Sequence, residues 1–169
     1  LAFDIANLLL SEAAPAYTLL YGRVVEYLRP DHVEALLMNT SLLEQLEQYD
    51  LAIEALAAVP EDDPAFTAAE VGRAEILATA GRPEEGIAVL RQMAEENPDV
   101  AMVHMTLGDA LRNEEMYAEA QEAYTDAIDL FSGDEPDFWV AFFARAVTHE
   151  RLDDWPAAKS DFRRALDLN

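Results

Sequence analysis

Histidines and acidic residues are the side chains of this sequence that could do chemistry. The chain has three histidines, 34 aspartates and glutamates, and no cysteine. A helical zinc site needs two histidines four residues apart, and His149-Glu150 supplies only half of that motif. A glycine-rich phosphate loop and a nucleophile elbow are also missing. We therefore predict no catalytic residue, no metal ligand and no cofactor, and we expect His149 to pack in the core.

Two acidic pairs, Asp62-Asp63 and Asp153-Asp154, lie where we predict turns between helices. Aspartate is favoured at helix N-termini, where its carboxylate accepts a hydrogen bond from a backbone amide. A calcium loop would need ligands spaced over twelve residues, and no such spacing follows either pair. The pairs are therefore predicted to be helix caps.

Charge and composition restrict the partners. The formal charge of -23 repels the phosphates of nucleic acids and anionic lipid headgroups, while 51% hydrophobic residues are enough for a folded core. Apolar runs are far shorter than the ~20 residues that span a bilayer, so we expect no membrane insertion. A protein or peptide partner remains. The lack of cysteine leaves the compartment open between bacterial cytoplasm and periplasm.

The sequence repeats with a period of 34 residues. Segments 33–66, 67–100 and 101–134 align without a gap, and 1–32 and 139–169 extend the pattern on either side of an insertion at 135–138. A fixed period of this size is typical of solenoids built from helical hairpins. We therefore predict one all-α solenoid over residues 1–169.

Residue types at fixed repeat positions support this register. Small side chains recur where two helices of a hairpin would touch, at Ala6, Thr40, Ala74, Gly108 and Ala146, and at Thr18, Ala52, Gly86, Ala120 and Ala158. Bulky residues recur on the second helices, at Tyr49, Tyr117 and Trp155 and, seven residues later, at Leu56, Leu90, Tyr124 and Phe162. Prolines recur at the ends of the second helices, at Pro30, Pro64 and Pro98. In Gly81-Arg82-Pro83, glycine suits a left-handed helix cap and proline suits the first turn of the next helix.

This pattern resembles the tetratricopeptide repeat family, most clearly in Leu107-Gly108, Leu111, Tyr117, Ala120, Tyr124 and Ala127. The resemblance implies a right-handed α-solenoid of about five hairpins that works as a non-catalytic scaffold and binds a peptide or protein in its concave groove. The chain departs from the family at Glu70 and His104, which replace an aromatic residue, and at Gly22, which replaces a large one. More narrowly, the repeats look like those of bacterial adaptor proteins of the cell envelope.

In this family, fixed positions of each first helix face the groove. Carried over repeat by repeat, the resemblance predicts groove positions at Phe3, Asn7 and Leu10; Leu37, Met38, Ser41, Glu44 and Gln45; Val71, Glu75 and Thr79; Met102, Met105, Asp109, Arg112 and Asn113; and Phe143, Val147, Glu150 and Arg151.

The types of these residues suggest a ligand. Methionines and aliphatic side chains supply adaptable apolar contact, and side-chain amides can bond an extended backbone. Glu44, Glu75 and Asp109 lead to the hypothesis that the ligand carries a basic residue or free amine. The clamps that hold a chaperone's C-terminal carboxylate need cations at places where this chain has Ala68 and Gly72, so that ligand is not expected.

Two other functions stay open: a self-association module, and a regulatory domain of a larger enzyme. The sequence starts at Leu1 without a methionine and stops within its pattern, so we expect a fragment whose uncapped last helix, 155–168, self-associates. The insertion is either a tolerated surface loop or a partner contact through Phe131 or Trp139.

Overall fold

A computed structural model describes residues 3–5, 15–131 and 138–168. Over these ranges the secondary structure is helical, without a strand. The helices are α1 (Pro15–Leu28), α2 (Val33–Gln45), α3 (Tyr49–Ala57), α4 (Phe66–Thr79), α5 (Pro83–Glu96), α6 (Ala101–Asn113), α7 (Tyr117–Leu130), α8 (Phe138–Arg151) and α9 (Trp155–Leu168). The all-α, hairpin-based fold class predicted from the repeat is confirmed.

The chain divides into two compact units, Leu1–Gly86 and Ile87–Asn169. We call them the N-terminal unit and the C-terminal unit. In the N-terminal unit α2 packs on both α1 and α3, and α3 packs on α4. In the C-terminal unit α6 packs on α7, α7 on α8, and α8 on α9. Each unit is therefore built from consecutive antiparallel neighbours, as expected for stacked hairpins.

The turns inside the hairpins share one backbone geometry. Gly81 has a φ of 77°, and the amide of Arg82 donates to the carbonyl of Leu77 over 2.9 Å. This bond closes a Schellman-type helix end. The corresponding residues of the other turns, with φ of 55°, 60° and 59°, are Glu47, Glu115 and Asp153. The predicted glycine cap and the helix start at Pro83 are confirmed, and the same turn forms three times without glycine.

The small residues permit close helix contacts. A Cβ atom on Gly86 would lie 2.6 Å from the carbonyl oxygen of Ala74, and one on Gly108 would lie 2.6 Å from the ring of Tyr124. Real Cβ atoms do not approach so closely, so a larger residue at either position would force the helices apart. The other described members of the two small-residue sets are also buried, as close helix contacts require.

Leucines and alanines fill the core of the N-terminal unit. A buried cluster contains Leu36, Leu43, Ala52, Ala55, Leu56, Val59, Ala69 and Ile76. At Gly22, where the family has a bulky residue, the side chain of Asn39 occupies the space, and a Cβ atom on Gly22 would lie 1.8 Å from its Oδ1. Asn39 is buried and donates a 2.9 Å hydrogen bond to Glu26. The departure from the family pattern is therefore matched by a polar side chain from α2.

The two polar replacements of the family aromatic are also buried and paired. Glu70 accepts a 2.9 Å hydrogen bond from Nε of Arg73. In the C-terminal unit, Nε2 of His104 lies 3.1 Å from the carbonyl oxygen of Pro98. Because both side chains have hydrogen-bond partners, their burial avoids most of the desolvation cost of an unpaired polar group.

None of the described helices combines the length and the apolar composition needed to cross a membrane.

Candidate functional site

A pocket of about 250 Å³ lies in the N-terminal unit and is lined from α2, α3 and α4. Four of the predicted groove residues line it together: Leu37, Ser41, Glu44 and Glu75. All four are exposed at the surface. Helix α2 presents its three residues on one face, because positions 37, 41 and 44 are four and three residues apart. The pocket therefore has an apolar wall, a hydroxyl group and two carboxylates.

Small residues create the space in this pocket. Ala65, Ala68 and Gly72 line it from the start of α4 and the residue before it. In the sequence, Ala68 and Gly72 spoke only against a chaperone-tail clamp, and neither was predicted to belong to a site. The signal was present, since three small residues spaced three and four apart share one helix face.

Met38 and Val71 require a correction. Both were predicted to face the groove, but their exposed fractions are 8% and 6%, and they belong to the core. Met38 packs with Leu42 and against Phe3, so its side chain fills the interior of the N-terminal unit. A residue on the boundary between the apolar and polar faces of a helix can turn inward, and its type alone does not decide this.

Other predicted groove residues lie outside the pocket. Gln45 and Thr79 are exposed near the C-terminal ends of α2 and α4. The ring of Phe3 packs on that of His32, with centroids 4.6 Å apart. Asn7 and Leu10 lie outside the described residues.

Asp109 is already bound within the C-terminal unit. Its Oδ1 accepts a 2.7 Å hydrogen bond from the hydroxyl of Tyr124 and a 3.0 Å hydrogen bond from Arg112. Burial of Tyr124, followed by its hydrogen bond to Asp109, raises the pKa of the tyrosine above its ordinary value. Asp109 therefore differs from Glu44, since its carboxylate is partly neutralised by its own neighbours.

The remaining predicted groove residues are on α6 and α8. Met102, Asn113, Phe143, Glu150 and Arg151 are exposed. Met105, Arg112 and Val147 are half-buried. The ring of Phe143 packs edge-on against Phe162 of α9, with centroids 5.7 Å apart. The C-terminal unit thus exposes methionine and phenylalanine on the first helices of its hairpins.

His149 packs in a buried polar cluster between α8 and α9, as predicted. Nε2 of His149 lies 3.6 Å from Asp161, and Asp161 accepts two hydrogen bonds from Arg145, of 2.7 and 3.0 Å. Arg145 also donates to Thr125 of α7 over 3.1 Å. In the parts of the chain that the structure describes, no three His, Asp or Glu side chains converge to hold a metal ion.

Asp154 confirms the capping prediction, whereas α4 has no side-chain cap hydrogen bond at its N-cap residue Ala65, so Asp63 bonds within the turn before that helix. Oδ1 of Asp154 accepts a 3.2 Å hydrogen bond from the amide of Ala157 in the first turn of α9. Oδ1 of Asp63 accepts a 2.8 Å bond from the amide of Ala65, directly before α4. These bonds satisfy amides that have no partner inside the helix or turn.

The insertion at 135–138 is described only at its last residue. Phe138 begins α8, one residue earlier than the repeat predicted, and is buried. Its ring contacts Phe131 on one side and Phe142 on the other, at centroid distances of 5.0 and 5.1 Å. Phe131 therefore packs within the chain, and it is a weaker candidate for a partner contact than the sequence suggested. Residues 135–137 lie outside the described residues.

Comparison with known proteins identifies the family. Two family models, both described as tetratricopeptide repeat, match residues 47–110 and 105–169, so that together they cover 47–169. A search of curated proteins found no match.

Solved structures match nearly the whole chain. A crystal structure of MamA has a TM-score of 0.79 and 20% identity, with coverage of 98% of this chain and 94% of that chain. MamA from Desulfovibrio magneticus RS-1 has a TM-score of 0.77 at 20% identity, with coverage of 99% and 92%. YrrB, described as a TPR protein with an unusual peptide-binding site, has a TM-score of 0.71 at 20% identity, with coverage of 99% and 84%. At these identities the likeness concerns the fold. With the repeat register, the hairpin geometry and the family models in agreement, the chain belongs to the tetratricopeptide repeat family.

Proposed function

We propose that this chain is a non-catalytic protein-interaction scaffold that binds a peptide on the first helices of its hairpins. The observation that carries the proposal is the pocket of about 250 Å³, which brings Leu37, Ser41, Glu44 and Glu75 together. Membership of a family of protein-interaction modules agrees with this role. YrrB, which is described as having a peptide-binding site, is an example of the fold with such a site.

The chemistry of the pocket favours a basic side chain. Lysine and arginine combine an apolar stem with a cationic head, so the stem would pack on Leu37 and the small residues, and the head would meet Glu44 and Glu75. The charge of -23 also attracts cationic ligands over longer distances. We assign this preference to the N-terminal unit, and first to Glu44, because Arg112 and Tyr124 already engage Asp109 and Glu75 has a partner within the chain.

Peptide display against the chain, followed by calorimetry with selected peptides, tests this function. We expect the selected peptides to contain a lysine or arginine whose replacement by alanine weakens binding about tenfold. The variant carrying Glu44→Gln and Glu75→Gln should lose the same factor. The matched control carries Glu54→Gln and Glu84→Gln, because both residues are exposed and neither lines the pocket. Selected peptides without basic residues, or equal affinity for variant and control, would refute the basic preference.

A steric variant tests whether the ligand enters the pocket at all. A Cβ atom on Gly72 would lie 3.6 Å from Leu56, which is an ordinary contact, so this site tolerates a side chain. Gly72→Leu should fill the pocket and weaken peptide binding, while thermal unfolding shows that the fold persists. Unchanged affinity in a folded Gly72→Leu protein would place the ligand elsewhere.

A further inference from the structure

The last hairpin differs in charge from the rest of the chain. Residues 139–169 contain five basic and five acidic side chains, whereas residues 1–138 contain six basic and 29 acidic ones. The whole excess of -23 therefore belongs to residues 1–138. Residues 1–138 therefore repel an acidic surface of a partner, whereas the last hairpin, which carries equal numbers of basic and acidic side chains, does not.

Most cations of the last hairpin form no ion pair with any residue that the structure describes. Among the described residues, Arg151, Lys159 and Arg163 form no ion pair, and they are exposed. Many earlier arginines are paired with carboxylates, namely Arg23, Arg73, Arg82, Arg91 and Arg112. The positive charges on α9 are thus available to a partner.

Large apolar side chains share the face of α9 that carries these cations. Trp155 and Leu166 are 59% and 77% exposed, and the spacing of residues 155, 159, 163 and 166 puts them on one side of the helix. We call Trp155, Lys159, Arg163 and Leu166 the basic face. Exposed tryptophan and arginine side chains are the commonest anchors of protein interfaces.

A complementary surface exists in the same unit. A groove of about 300 Å³ is lined by the buried Leu107 and Leu111, by the carboxylates of Glu95, Glu122 and Asp126, and by Arg91 and Glu119, which pair with each other. We call Leu107, Leu111, Glu95, Glu122 and Asp126 the acidic groove. Glu95 and Glu122 form no ion pair with any described residue, and Nδ1 of the buried His104 lies 3.9 Å from Asp126. None of the predicted peptide-binding residues lines this groove, so it is a separate surface.

We propose that two copies of this chain associate by docking the basic face of one on the acidic groove of the other. Each copy carries both surfaces within the C-terminal unit, so a two-fold arrangement would form the contact twice. The cations of the basic face would meet the carboxylates of the groove, and Trp155 and Leu166, which are exposed in the single chain, would become covered by the contact. This interface uses neither the pocket nor its ligand, and it therefore goes beyond the peptide-binding function.

Sedimentation velocity over a wide concentration range tests the association. We expect the chain to dimerise, and Arg163→Glu to weaken the dimer by at least about tenfold, because it puts like charges in contact. Arg29→Glu is the matched control: it makes the same charge change at another exposed arginine that forms no ion pair with the described residues, and it should leave the dissociation constant unchanged.

A charge swap identifies the two surfaces. Glu122→Lys should also weaken the dimer, whereas Glu54→Lys on α3 should not. An equimolar mixture of the Arg163→Glu and Glu122→Lys proteins should regain the wild-type association, because each reversed surface then meets its complement. A wild-type chain that stays monomeric at every concentration would overturn the proposal and assign the basic face to a different partner. Failure of the mixture to recover would equally overturn it.

Discussion

Asp161→Asn should be among the most destabilising single substitutions in the C-terminal unit. The carboxylate of Asp161 is 6% exposed and accepts hydrogen bonds of 2.7 and 3.0 Å from the guanidinium of Arg145. His149 approaches the same carboxylate to within 3.6 Å. An asparagine keeps the size of the side chain but removes its charge, and its amide hydrogens would point toward a cation.

The expected loss is about 3 kcal/mol in the free energy of unfolding, the lower end of the range for removing one partner of a buried ion pair. The lower end applies because Arg145 keeps two other contacts. It still donates to Thr125 over 3.1 Å, and its guanidinium lies 5.6 Å from the ring centroid of Phe142. Replacing both members of the pair, as in Arg145→Met with Asp161→Leu, should recover most of the loss because no unpaired charge stays buried.

Urea unfolding followed by circular dichroism measures these differences. Asp167→Asn is the control, because Asp167 lies exposed on the same helix and forms no ion pair with the described residues. Its effect should stay within about 0.5 kcal/mol. If Asp161→Asn is as mild as this control, the buried pair does not stabilise the hairpin and the reasoning fails.

Three further predictions concern stability. Gly86→Ala should lower the free energy of unfolding by at least about 2 kcal/mol, because its methyl group would lie 2.6 Å from a backbone carbonyl oxygen. Gly72→Ala should instead raise the free energy of unfolding by about 0.5–1 kcal/mol, because alanine has the higher helix propensity. If urea unfolding shows the same effect for Gly86→Ala and Gly72→Ala, the difference in packing between the two sites is refuted. At the positive-φ turn residues, Glu115→Gly should raise the free energy of unfolding and Gly81→Ala should lower it, each by about 1 kcal/mol, since a Cβ atom is strained in that conformation. The raised pKa of Tyr124 predicts that its contribution to stability is fully present below pH 10.0, the ordinary pKa of tyrosine, and is lost as the pH rises further. In the Tyr124→Phe variant, the free energy of unfolding should therefore fall less steeply with pH, by about 1.4 kcal/mol per pH unit. Urea unfolding at a series of pH values measures this slope, and an equal slope in wild type and variant would be inconsistent with the burial of the hydroxyl.

The repeat register was predictable because it depends on short-range rules. Small residues mark helix contacts, glycine takes a left-handed cap, and Pro30 and Pro98 follow the ends of α1 and α5; each effect acts within a few residues. The prediction was wrong at Pro64, because α3 already ends at Ala57. The period of 34 residues then repeats the same helical hairpin along the chain. The glycine cap at Gly81 followed from its sequence alone. The same turn at Glu47 and Glu115 did not, because glutamate does not prefer positive φ and adopts it only where the surrounding helices require it.

The peptide site was only partly predictable. Leu37, Ser41 and Glu44 reach one pocket, as the resemblance implied, but Met38 between them turns into the core. The space in the pocket exists because Ala68 and Gly72 have small side chains or none. The sequence does not show whether such a space stays open or is filled by a neighbouring side chain. At Gly22 a neighbour does fill it, because the side chain of Asn39 occupies the place.

By itself the sequence determined the all-α hairpin fold and the tetratricopeptide family. These depend on local propensity and on a period that can be counted. Tertiary structure decided how individual charges are used. Asp109 and Glu44 occupy equivalent kinds of position in the sequence, but Tyr124 and Arg112 bind the first, while the second lines a pocket. The physical reason is that the effect of a carboxylate depends on the few ångströms around it, and residues distant in the sequence supply those neighbours.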